Sequence, residues 1–129
     1  MSYNDYGIGT HGCGQDVAVG RRVALNASGQ LVYATATSLG IGVARLDQVE
    51  GEDVGVAYFN KPGTHLMVAA GPFDLGAPVY AAASGKVRAL PTAAGDYVKV
   101  GVALEAAADD GDLVEVLAVE SGKVITVSS

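Results

Sequence analysis

Gly20-x-x-Val23-x-x-x-Ala27-Ser28-Gly29-x-Leu31 returns 56 residues later as Gly76-x-x-Val79-x-x-x-Ala83-Ser84-Gly85-x-Val87. A second echo follows, now offset by 59: Gly42-Val43-Ala44 with Gly101-Val102-Ala103, and Asp53-Val54 with Asp112-Leu113. The same order of turn and strand signals is written twice, with about three extra residues inside the second copy. A unit of turns and small apolar residues used twice constrains the chain to two similar halves and has the character of a scaffold.

Within each copy the pattern is that of short strands. Val23 and Leu25 alternate with Ala24 and Asn26, and Ala27-Ser28-Gly29 then supplies a turn in which Gly can take the positive φ that completes a hairpin. The same reasoning predicts a hairpin over Tyr80 to Arg88. Further strands are expected at Ile41 to Leu46, Val54 to Tyr58, Leu66 to Ala70 and Val98 to Leu104. Leu113 to Val119, apolar except at Glu115, reads as a central strand covered on both sides. Gly42 and Gly101, each inside a strand, mark a bulge or a close approach of another backbone. A last hairpin is expected from Val119 through Glu120 to Lys123 into Val124 to Val127. The one helix-like stretch, Glu105 to Asp110, is too short to stand alone. The fold class is therefore all-β: a small β-barrel or sandwich built from two similar halves, with an extended N-terminal arm. Residues 1–16 form the arm and 17–129 a single β domain, with the repeat over 17–59 and 73–119. Tyr3, Tyr6 and Ile8 give the arm apolar anchors that a purely solvated tail lacks, and deletion of residues 2–14 is expected to leave the domain folded.

Composition excludes several functions. Only 17% of residues are charged and 18 of 129 are Gly, so small residues and thin layers replace a large aromatic core. The net charge of −6, with eight scattered Lys and Arg, argues against a nucleic-acid partner. No apolar run reaches the ~18 residues of a membrane span and no signal peptide is evident, so synthesis in a reducing cytoplasm is expected. With one cysteine no internal disulfide can form.

No catalytic or cofactor constellation emerges. His11 and Cys13 are two ligands where a structural zinc site takes four, and no metal is expected. Cys13 has no base beside it in sequence to make it a nucleophile. Asp47, Glu50, Glu52 and Asp53 form one acidic cluster and Asp109, Asp110 and Asp112 another. Both precede a strand at equivalent places in the repeat and lack calcium-loop spacing, so they read as solvated turns. No phosphate-binding loop occurs. The chain is not expected to be an enzyme.

The order of these signals resembles a family. Gly-x-x-Val with a Ser-Gly turn leads to Leu39-Gly-Ile-Gly-Val-Ala44 and Glu52-Asp-Val-Gly-Val-Ala-Tyr58. Gly71-Pro-Phe-Asp-Leu-Gly-Ala-Pro-Val-Tyr80 precedes a second Ser-Gly turn, Val100-Gly-Val-Ala103 and Gly111-Asp-Leu-Val-Glu-Val116. Over about residues 17–119 this is similar to the small head-decoration, or cement, proteins of tailed bacteriophages. The resemblance implies a structural virion protein on the capsid exterior. It would bridge neighbouring major capsid protein subunits, as a homotrimer at threefold and local threefold positions, with no cofactor. The segments outside the repeat are the expected partner contacts, namely Tyr3, Tyr6 and Ile8 in the arm and Val124 and Ile125 in the last hairpin. A carbohydrate-binding β-domain of a phage tail is the alternative, disfavoured by the scarcity of aromatic platforms.

Overall fold

The structure, a computed structural model, describes residues 7–61 and 63–128. Alternating small apolar residues form eleven strands there: β1 (Ile8–Gly12), β2 (Arg22–Leu25), β3 (Leu31–Tyr33), β4 (Gly42–Ala44), β5 (Asp53–Tyr58), β6 (His65–Val68), β7 (Pro78–Ala81), β8 (Val87–Arg88), β9 (Gly95–Ala103), β10 (Leu113–Leu117) and β11 (Val124–Val127). They make two antiparallel sheets in a sandwich-like arrangement, with no closed barrel. One sheet runs β1-β5-β4-β2-β3 and the other β6-β10-β9-β7-β8, with β11 beside β9. Adding five to each strand number of the first sheet gives the second, so the sequence repeat is a repeat of topology. Glu105 to Asp110 is a loop, as its length requires.

The structural repeat begins earlier than the sequence echo. Ile8–Gly12, read from sequence as arm, pairs with β5 from Ile8↔Ala57 to Gly12↔Asp53, just as β6 pairs with β10. Cys13 follows it into the core with no exposed surface. Gly7 to Asp16 therefore belongs to the first sheet and its loop, and a deletion through residue 14 removes an edge strand and a core side chain. The polar, glycine-rich composition hid β1, because an edge strand needs few apolar residues.

The match between halves also shifts by one residue. Ala44 faces Val56 as Ala103 faces Val116, so the offset is 59 before the β4–β5 loop and 60 after it. Asp53 corresponds to Leu113, and Val54 to Val114, which keeps both valines buried. The echo of Asp53-Val54 in Asp112-Leu113 would have turned the strand over. β10 has a neighbour on each side, yet only one face is covered, since Leu113 and Leu117 point outward and are exposed. The last hairpin is not one either: β11 pairs with the first half of β9, from Val124↔Val98 to Val127↔Gly95.

Each sheet curls until its edges touch at one parallel bridge, Cys13–Leu31 in the first half and Ala69–Val87 in the second. Two separate cores result, one around Cys13, Val17, Val23, Leu31, Ala44, Val54 and Val56, the other including Met67, Phe73, Val79, Val100 and Val116. The strand glycines make this curl possible. A Cβ at Gly42 or Gly101 would overlap the carbonyl oxygen of Ala57 or Leu117.

The seam between halves is built on the second Ala-Ser-Gly turn. The first copy is a surface turn, with Asn26 Oδ1 accepting from the Ser28 and Gln30 amides. The second docks on β2: the Gly85 amide donates to the Ala34 carbonyl, and Arg21 donates to the Ser84 carbonyl. Arg22 lies fully buried behind it. Its five N–H groups donate to the carbonyls of Lys86, Ser38, Leu39, Thr35 and Ala82 over 2.5–3.2 Å, three from the first half and two from the second. That uses the whole donor capacity of a guanidinium. Burial pulls its pKa down to about 10, which leaves it charged at neutral pH.

His65, the other buried polar side chain, has the opposite situation. Neither ring nitrogen finds a partner among the described residues, and the ring packs edge-on against Phe59 at 5.5 Å. Burial first, and then the nearby Lys61 charge, push its pKa down to about 4. It is a neutral core residue.

Three predictions follow from this architecture. Arg22→Met should cost about 3–5 kcal/mol in urea denaturation, because five carbonyls lose their only charged donor; a loss under 1 kcal/mol would contradict the clamp. Removing residues 2–14 should give a protein without a cooperative thermal transition, in contrast to the sequence-based expectation. For His65, the unfolded chain takes up its proton near pH 6.5 and the folded chain only near 4. Its contribution is complete above pH 6.5 and is lost as pH falls through that window. Between pH 7 and pH 4.5 the wild type should lose roughly 2 kcal/mol more than His65→Phe; equal losses would refute the assignment.

Candidate functional site

The chemistry-bearing residues are occupied with structure. Burial, and then the charges of Asp53 and Asp16, push the Cys13 thiol up, the reverse of what a nucleophile needs. His11 projects from β1 to Tyr58, Nε2 lying 2.6 Å from the hydroxyl. Gly9 opens the space for that ring, since a Cβ there would overlap the Tyr58 hydroxyl. No group of three or more metal-ligating side chains occurs among the described residues.

One carboxylate of each acidic cluster braces a loop, joined in the first half by Asp16. Asp16 Oδ1 accepts from the Glu50 amide at 2.9 Å and Asp47 Oδ1 from Val19 at 2.8 Å. In the second half Asp112 Oδ2 accepts from Ala108 and Asp109 at 2.9 and 3.1 Å. These carboxylates hold together a tip in each half. In the first, the loop after β1 and the loop after β4 are joined by reciprocal bonds between Val17 and Gln48. In the second, the loops after β6 and β9 are joined by the equivalent pair, Phe73 and Ala107. Gly20 bonds to Ala44 in one tip as Gly76 bonds to Ala103 in the other.

Both tips present large aliphatic side chains to solvent. Leu46 is 68% and Val49 56% exposed in the first, and Leu75 is 67% exposed in the second. With Val124, at 56%, they are the most exposed large hydrophobics of the described chain. Sequence reasoning passed over the three tip residues, although single aliphatics set among charged and glycine residues (Arg45-Leu46-Asp47, Asp74-Leu75-Gly76) were a readable signal. A groove of 280 Å³ also opens at the seam, lined by Ile8, Val43, Arg45, Lys61, His65 and Leu66 among others.

The expected contact residues fall in separate places. Tyr3 and Tyr6 lie outside the described residues. Ile8 is half-buried on edge strand β1. Val124 and Ile125 sit on β11, opposite Val98 and Tyr97. The β11 approach is held by Lys99 and Lys123, both ion-paired to Glu120, and by Thr126 donating to Asp96 at 2.7 Å.

A fold of this kind has been seen in a virion component. The crystal structure of the head fiber gp8.5 N base in bacteriophage phi29 superposes with a TM-score of 0.70, covering 90% of this chain and 96% of that one at 18% identity. At that identity the likeness is one of fold. A search of curated proteins found no match. The family described as phage cement protein matches residues 10–119, from within β1 to just past β10. That span takes in both sheets, and the chain belongs to the phage cement protein family.

Proposed function

We propose that this protein is a non-catalytic component of the virion that decorates the outer surface of a bacteriophage capsid and bridges neighbouring major capsid subunits, as a homotrimer at threefold and local threefold positions. The observation that carries this reading is the family match across both sheets. The polar groups of the fold support it, because the buried guanidinium and the carboxylates of Asp16, Asp47, Glu105 and Asp112 are engaged in holding backbone. Such a protein works by clamping: it binds the expanded shell and opposes separation of subunits under internal pressure, and repeated weak contacts on a symmetric lattice add up to firm attachment. Val124 and Ile125 on β11, which pairs with β9 on one side, are the proposed partner contacts, together with Ile8 and the tyrosines ahead of it, Tyr3 and Tyr6.

The test is sedimentation of the purified protein with expanded capsids that lack it. Saturable binding to the capsids, and light scattering at three times the 13.0 kDa chain mass, are the expected results. A monomer that ignores capsids and binds a glycan array would overturn the proposal in favour of a carbohydrate-binding module.

A further inference from the structure

The two tips share one frame but carry their aliphatic side chains on different loops of it. The tips arise from equivalent loops, closed by equivalent bonds at Val17–Gln48 and Phe73–Ala107. Each exposes large aliphatic surface at its end, Leu46 and Val49 from the loop after β4 in one, Leu75 from the loop after β6 in the other. Such side chains gain nothing from solvent, and three of the four most exposed in the described chain lie here. Their setting is acidic apart from Arg45 beside Leu46. Glu50 and Glu52 in the first tip, and Asp74 and Asp109 in the second, make no side-chain hydrogen bond or ion pair among the described residues, so their charge is free to act outward. We propose that each tip inserts its aliphatic side chains into an apolar dimple rimmed by Lys and Arg, and that one chain thereby engages two neighbouring capsid subunits.

The charge argument selects the partner. An acidic rim around an apolar knob favours a basic rim around an apolar socket and repels a second acidic copy of this chain, whose net charge is −6. The duplication selects the number. Two knobs on one chain suit a lattice that offers neighbouring subunits within reach, and the second contact is then intramolecular. The inference rests on the capsid-binding reading above and deepens it by assigning the bridging contact.

The experiment measures binding to expanded capsids for the wild type, L46Q/V49Q, L75Q and the triple variant, with melting temperatures alongside. Each single-tip variant should weaken binding by about tenfold or more through lost avidity. The triple variant should lose saturable binding, with melting temperatures unchanged because these side chains are exposed. A single-tip variant that binds like the wild type would overturn the two-tip proposal while leaving capsid decoration standing. Failure of the wild type itself to bind would remove the underlying reading and this inference with it. Should an apolar variant melt early, E50Q/E52Q and D109N decide: the proposal requires weaker binding with reduced salt dependence, and unchanged binding contradicts it.

Discussion

Arg22 is the side chain on which the union of the two halves depends. A guanidinium without a carboxylate partner is costly to bury, and only a full set of acceptors offsets that cost. Here the acceptors are five backbone carbonyls from both halves, so each loop is held in the position that satisfies the others. Thr35 to Leu39 and Ala82 to Lys86 have little regular structure of their own. They are ordered because displacing either would strand donors of a buried charge. The position equivalent to Arg22 in the second half is Pro78, which donates nothing. The clamp is thus a departure from the repeat that makes one molecule of two similar units.

The repeat itself explains the shape of the rest. Small side chains fill little volume, so a sheet made from them can curl tightly and still pack its interior. In each half the curl brings opposite edges together at one bridge, leaving two modest cores joined at the seam. The additions to the second copy have a visible purpose. The residues inserted ahead of Gly101 lengthen β9, and the added length is what β11 pairs with. The same Ala-Ser-Gly turn is a solvent-facing hairpin in the first half and the docking piece of the seam in the second. Context at Arg21 and Arg22, not the turn, decides which.

Much of this was legible in the sequence. The alternation, the Ser-Gly hairpins, the strand glycines and the doubled order were enough for the all-β class and the two-half plan. β1 was missed because all but Ile8 of its residues are polar or glycine, and its pairing with β5, matched by that of His65–Val68 with β10, exposes it as a strand. The register slip was invisible because Asp112-Leu113 mimics Asp53-Val54 in letters while the loop before it holds one more residue. Arg22 drew no notice among the scattered basic residues, since local sequence carries no sign of carbonyls that arrive from 13 to 64 residues away. Of the surfaces able to meet a partner, β11 was marked from sequence. The tips were read only as solvated acidic turns, and their exposed leucines had no periodic neighbours to draw notice.

The role proposed for this cement-family protein is to hold neighbouring capsid subunits together, and a molecule made of two similar units joined at one seam is suited to span them. The most direct measurement is a cryo-EM reconstruction of expanded capsids saturated with this protein. The account predicts ordered density on the outer surface, with each chain touching two major capsid subunits through the loops around Leu46 and Leu75. Capsids without added density, or density in which each chain meets a single subunit away from both loops, would contradict it.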